Sequence, residues 1–291
     1  MSYYALFLVI FSALMHATYN FTFKKSKIKT IYLWSMFSVS IVIMTILATF
    51  RKGFISTDTK TIGLASAAAV FFSLYQIYTG KAYALAKGDL SMVYPLSITA
   101  PLYIPFLAYF LIGERIGIRV FIGIVLALLG TYTIQLNTQL SNFRFKKLSL
   151  KEKHIPYALF AGFIYSFGSI IDKIGVGKDK FFIYTYWVVI FMFIYMTVNI
   201  LKNAELKEKI FYCYRNSLPA VIAGGVILTL SFLSYRYAME MAKISAVAGV
   251  RQISSLFGVL MGIFILKEPY GKLRFIASLL IVIGVILIKM G

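Results

Sequence analysis

Arg251 is the residue whose type and position most invite chemistry. It lies eight residues into an apolar run over 243–266, too deep to snorkel easily, with Gln252 beside it and Ser254 and Ser255 just beyond. A guanidinium stays charged and offers planar, forked donors that match a carboxylate. A charge at that depth is costly and marks a functional site by default, so Arg251 is expected to hold an anionic group. The competing reading is a structural pair with an acidic neighbour. A second group sits at 94–101, where Tyr94, Ser97 and Thr99 are interleaved with Pro95 and Pro101, and Pro105 follows. Proline removes backbone hydrogen bonds, and the carbonyls so freed are tolerated in hydrocarbon only against protein or a wet cavity. Both stretches are therefore expected to face one central cavity.

Lesser candidates surround these. His16, close to Asn20 in the first apolar run, is the histidine expected at membrane depth, and it either titrates near neutral pH or is a hydrogen-bonded packing residue. Tyr165 and Tyr237, with Tyr19, are candidate lining aromatics, and Lys81 either snorkels to a surface or faces the cavity. Arg236 and Glu240 stand four apart and are expected to pair with each other, and Asp172 and Lys173 are expected at an interface. Several chemistries are missing from the sequence. It has no G-x-x-x-x-G-K-[ST] motif, no nucleophile elbow and no metal-spaced His/Cys cluster, and its single Cys213 rules out an intrachain disulfide. Neither an enzyme, a cofactor nor a metal site is expected.

The elements that position these residues follow from composition. Of 291 residues, 60% are hydrophobic and 14% charged, too few charges for a soluble surface. Apolar runs fall at 3–23, 31–50, 61–86, 91–113, 117–136, 156–174, 181–201, 218–241, 243–266 and 271–289. Each is about the ~20 residues that cross a bilayer as a helix. The runs are continuous rather than alternating, which excludes a spanning barrel. The expected fold is an all-α polytopic membrane protein with ten transmembrane helices, the first retained rather than cleaved as a signal peptide. The net charge of +20 gathers in short stretches such as 24–29, 144–153 and 202–215. That placement implies contact with anionic lipid headgroups rather than nucleic acid.

The chain also repeats itself. Displaced by 154 residues, 83–134 overlies 237–288 without a gap, matching Ser91 to Ser245, Glu114 to Glu268, Gly117 to Gly271 and Gly130 to Gly284. The natural division is 1–136, a basic connector at 137–155, and 156–291. Each half holds five runs, an odd number, so the second half enters the membrane inverted, the arrangement of transporters with a midplane site between halves. Glu114 and Glu268 each precede the next run and read as turn caps at a helix N-terminus. Gly258 and Gly262 form a GxxxG, a helix-packing face or the seam of a homodimer.

The ends of the two halves, FLIGERIGIRVFIGIVLALLG at 110–130 and FILKEPYGKLRFIASLLIVIG at 264–284, are similar to the drug/metabolite transporter superfamily, EamA type. The resemblance implies ten helices around a central cavity in a bacterial inner membrane, and alternating-access transport, with export favoured, of a small amino-acid-like or amphipathic metabolite. The related small multidrug proteins carry a membrane-embedded Glu in the first helix. This chain has none there, and its ten acidic residues read as loop or helix-end residues, which argues against carboxylate-centred proton exchange. A lipid or lipid-linked sugar flippase and a non-transporting scaffold are the alternatives. The resemblance also places both termini in the cytoplasm, whereas the basic residues, 17 on the side so left outside against 10 inside, favour the opposite orientation.

Overall fold

A computed structural model describes residues 1–25, 29–50, 57–85, 97, 99–135, 154–266 and 272–291. Tyr94, Pro95, Glu268 and most of the basic connector lie outside the described residues.

The described residues form eleven helices. In chain order they are α1 (Tyr3–Lys25), α2 (Lys29–Thr49), α3 (Thr59–Leu85), α4 (Ala100–Ile112), α5 (Ile118–Gln135), α6 (His154–Val176), α7 (Phe181–Leu201), α8 (Ala204–Met241), α9 (Ile244–Val250), α10 (Ile253–Leu266) and α11 (Lys272–Met290). Five of them contain stretches long and apolar enough to cross a membrane: Thr30–Thr49, Thr59–Ala82, His154–Val176, Phe181–Leu201 and Ser217–Met241. Shorter apolar helices cover Ala100–Ile112, Ile118–Thr133 and Phe275–Met290. In hydrocarbon a helix satisfies its own backbone, so apolar runs of this length settle as helices.

Two expectations about boundaries are corrected. The expected break at 202–217 shrinks to Lys202 and Asn203; from Ala204 onward it is helical and continuous with the next run, giving a 38-residue α8. Its start is set by Asn203, whose side chain accepts from the Leu206 amide at 3.2 Å, an N-cap of the ordinary kind. Conversely, the run 243–266 is two helices that break at Arg251 and Gln252. There the amides of Gln252, Ser254 and Ser255 bond to carbonyls three residues back instead of four, a tighter turn that leaves the α-helical path.

The packing pairs the two ends of the chain. α1 lies chiefly on α8, α3 on α6, and α5 on α11. The α5–α11 crossing is close because it is made of glycine. A methyl group added at Gly123 would stand 2.6 Å from the carbonyl oxygen of Gly284, and one at Gly130 would stand 2.6 Å from that of Ala277. Polar side chains join other pairs. The Ser12 hydroxyl donates to the Ser231 carbonyl at 2.7 Å and the Ser231 hydroxyl returns a bond to the Ser12 carbonyl at 3.1 Å, tying α1 to α8. Gly258 of the GxxxG faces open space, and an added methyl would meet nothing within 4 Å.

Two buried apolar clusters result. One gathers Ile104, Ile124, Met239, Val247 and Ile281; the other gathers Met36, Met44, Phe72, Val188 and Leu228. Tyr165 packs against both. Large apolar side chains such as Phe110 and Phe264 point outward, each 78% exposed, as a protein whose solvent is lipid requires.

Candidate functional site

A cavity of about 310 Å³ opens between the helices. Its wall is apolar and aromatic, with polar groups at a few points: His16 and Asn20 from α1, Gln76 and Thr79 from α3, Ser97 ahead of α4, and Arg251, Gln252, Ser254 and Ser255 from the α9–α10 break. Arg251 arrives here at the end of α9. As the C-cap of α9, Arg251 keeps helical dihedrals (φ −59°, ψ −20°) while the chain tightens just after it, and its side chain reaches Ser12 and Tyr235 at the α1–α8 seam.

Three contacts fix the Arg251 guanidinium. One Nη donates to the Ser12 hydroxyl at 3.3 Å, the other contacts His16 Nδ1 at 3.0 Å, and the face of the group lies 4.0 Å from the centre of the Tyr235 ring. His16 Nδ1 also lies 2.8 Å from the Tyr19 hydroxyl, while Asn20 folds back to donate to the His16 carbonyl at 2.9 Å. No carboxylate among the described residues forms an ion pair with Arg251. The structural pair weighed against the binding reading is therefore not present among them.

A second charged group shares the wall. Asp172 and Arg236 both line the cavity and form an ion pair of 2.8 Å, with the Tyr184 hydroxyl donating to the other carboxylate oxygen at 2.9 Å. This corrects two expectations. Asp172 is not at an interface but 2% exposed, and Arg236 pairs with it rather than with Glu240. Burial decides the matter: Arg236 is 4% exposed, and a charge so enclosed requires its counter-charge at contact. Glu240, one turn on, instead accepts from the Asp179 amide at 2.7 Å, and Lys173 donates to the carbonyls of Met239 and Ala242. Spacing along the sequence does not reveal this pair, because Asp172 and Arg236 lie on different helices 64 positions apart.

The other expected site residues divide. Ser97 and Tyr165 line the same cavity as Arg251, and Thr99 stands just before α4. Lys81 is exposed over the Tyr78 ring at 5.5 Å, and Tyr237 stacks on Phe181 at 4.4 Å; neither lines the cavity. Glu114 is a cap, but not of the helix that follows it. Its carboxylate accepts from the amides of Ile244 and Ser245 at 2.9 and 3.0 Å and from the Ser245 hydroxyl at 2.6 Å, at the start of α9. That end of α9 is buried, so its free amides need an acceptor more than those of the exposed α5 start do.

Apolar helices around a cavity with charged groups in its wall describe a multi-pass membrane protein. The chain belongs to the EamA-like transporter family, whose model matches residues 3–136 and again 153–290. It is thus a membrane transporter. A solved crystal structure is similar over 98% of this chain and 96% of its own, with a TM-score of 0.75 at 16% identity, a likeness of fold. No curated protein matches the sequence.

Proposed function

We propose that the chain is a secondary transporter of a small metabolite bearing one anionic group, amino-acid-like or amphipathic, with Arg251 as the anion's ligand. The observation that carries this reading is the Arg251 guanidinium, which no described carboxylate neutralises and which Ser12, His16 and Tyr235 hold in place at the edge of the cavity. Asp172 and Arg236 cancel each other, so the wall carries one excess positive charge among its described residues. A carboxylate would take up the donors that Ser12 and His16 leave free, through the forked geometry of the group. The aromatic remainder of the wall suits an apolar body.

In this reading two five-helix halves, 1–136 and 156–291, of opposite membrane orientation, rock about the cavity in a bacterial inner membrane, with export as the working direction. The packing supports it. α1 lies on α8 and α3 on α6, so the first helix of each half meets the third of the other. The close contacts Gly123–Gly284 and Gly130–Ala277 exchange with each other under the 154-residue displacement. Such exchange follows from a two-fold relation between halves.

The test is a thermal-shift screen of the purified protein against a metabolite panel, alongside Arg251→Ala. A ligand that binds only the folded state raises its stability by mass action. Monoanions that stabilise the wild type and not the variant support the reading, and equal shifts in both remove Arg251 from the site.

A further inference from the structure

The site so read uses His16 only to hold Arg251, and the geometry points to a second role. Its Nδ1 is approached by Arg251 Nη2 at 3.0 Å and by the Tyr19 hydroxyl at 2.8 Å. A guanidinium has donors and no acceptor. Nδ1 therefore offers its lone pair, the ring proton sits on Nε2, and His16 is neutral while Arg251 rests against it. A proton on Nδ1 in that state would set two N–H donors and two positive charges head to head.

The titratable groups around the imidazole are few. Its own helix supplies Tyr19 and the α9–α10 break supplies Arg251. α8 supplies Tyr235, beneath Arg251, and Arg236; α6 supplies Tyr165 and Asp172; α3 supplies Tyr75. α2 and α7 bring only apolar side chains to the cavity wall, Leu33 and Phe37 from the one and Val188 and Met192 from the other. The carboxylate among these groups, Asp172, is engaged by Arg236 and Tyr184.

We propose that His16 is the proton-coupling group of this carrier: an anion that binds Arg251 brings one proton onto His16, and the two cross together. The inference rests on the reading of Arg251 as the anion's ligand. An anion taking the Arg251 Nη2 hydrogen leaves the Nδ1 lone pair free and sets a negative charge beside it. A proton from cavity water then bonds to Nδ1, the Nε2–H bond is untouched, and the imidazolium donates to the anion or to the rotated Tyr19 hydroxyl. The charges balance. The empty site carries the one positive charge of Arg251; the loaded site carries two positive charges and one negative. Both forms cross with the same charge, so the cargo is a neutral acid and the step is indifferent to membrane potential. Direction then follows the product of the anion and proton gradients, and export requires an accumulated anion to outweigh an inward proton gradient.

The test is titration calorimetry of the detergent-purified protein with benzoate, pyruvate and hexanoate, at slightly alkaline pH, in two buffers of different ionisation enthalpy. The buffer dependence counts the protons taken up per anion bound. The expected result is about one proton for the wild type and close to none for His16→Asn, whose amide oxygen can still accept from Arg251 but does not titrate, its anion binding weaker but still measurable at higher anion concentration. Binding without proton uptake, or uptake unchanged in His16→Asn, overturns the inference and leaves the Arg251 reading standing. Failure of all three anions to bind overturns both. Should His16→Asn not fold, the imidazole resonance of a His154→Asn protein, in which His16 is the one histidine left, serves instead. A move to the imidazolium position when the bound anion is added supports the proposal, and no move overturns it.

Discussion

Glu114 and Ser245, 131 positions apart in the chain, form one of the tightest polar contacts between the two halves of the sequence: the carboxylate accepts both the amide, at 3.0 Å, and the hydroxyl, at 2.6 Å. The Ile244 amide bonds to the other carboxylate oxygen at 2.9 Å, so the turn before α5 holds the first turn of α9. α9 is buried along its whole length and ends at Arg251. The cap thus fixes one end of the short helix whose other end presents the guanidinium to the cavity.

Removing that cap is expected to destabilise the protein. Glu114→Ala leaves two buried amides without their acceptor and should cost about 2–3 kcal/mol, near the upper range for hydrogen bonds to a charged group. Glu114→Gln, which keeps one acceptor oxygen, should cost less. Thermal unfolding in detergent measures both, and equal stability of wild type and Glu114→Ala would contradict the assignment.

The Asp172–Arg236 pair predicts that a double change costs less than a single one. Asp172→Asn leaves an uncompensated guanidinium that is 4% exposed and should cost about 3–5 kcal/mol. Combining it with Arg236→Met removes the stranded charge and should recover much of the loss. A double-mutant cycle on thermal stability reads the coupling directly, and simple additivity would show that the pair does not act as a unit.

The α5–α11 crossing leaves no room for a side chain. Gly123→Ala places its methyl 2.6 Å from the Gly284 carbonyl oxygen, so the helices must separate, at a cost of about 1–3 kcal/mol. Gly258→Ala, in open space, serves as the control and is expected to be neutral or slightly stabilising. Similar losses for both would indicate that Gly258 is covered by a partner.

At the surface, Asp58 contacts Lys180 at 2.7 Å and accepts from both the amide and the hydroxyl of Thr61, at 2.8 and 2.9 Å. The Lys180 bond and then the Thr61 bonds hold its carboxyl well below the usual carboxylate range. A depressed carboxylate stabilises the folded state above its unfolded value, ~3.9, and that contribution fades as pH falls through the folded value. The stability difference between wild type and Asp58→Asn should therefore be small, constant through neutral pH, and shrink only in acid. A difference that grows as pH falls from neutral would have the wrong sign.

Much of this was legible in the sequence, and the parts that were not share a cause. Length and hydropathy place most helices because each satisfies its own backbone locally, and Arg251 stood out as one charge in an apolar run. The break beside Arg251 was hidden because 243–266 contains no proline, and glycine alone does not mark a kink. The first turns of α8 were hidden because their charges read as loop, although Asn203 was the available N-cap signal. Arg236 looked toward Glu240 because spacing on one helix is visible, whereas its approach to Asp172 depends on how α6 meets α8. Glu114 caps α9 and not the helix that follows it for the same reason: the chain order shows the next helix, not the one that packs beside it.

The most direct test of Arg251 as the anion's ligand is counterflow of a radiolabelled monoanion that binds the protein, in proteoliposomes containing wild type, Arg251→Lys or Arg251→Gln. Loss of a charge-assisted, forked contact of about 1.5–3 kcal/mol weakens binding roughly tenfold to a hundredfold. Robust counterflow is expected for the wild type, a partial defect for Arg251→Lys, and for Arg251→Gln a signal that returns only at much higher substrate concentration. Counterflow by Arg251→Gln with unchanged concentration dependence would contradict that role for Arg251.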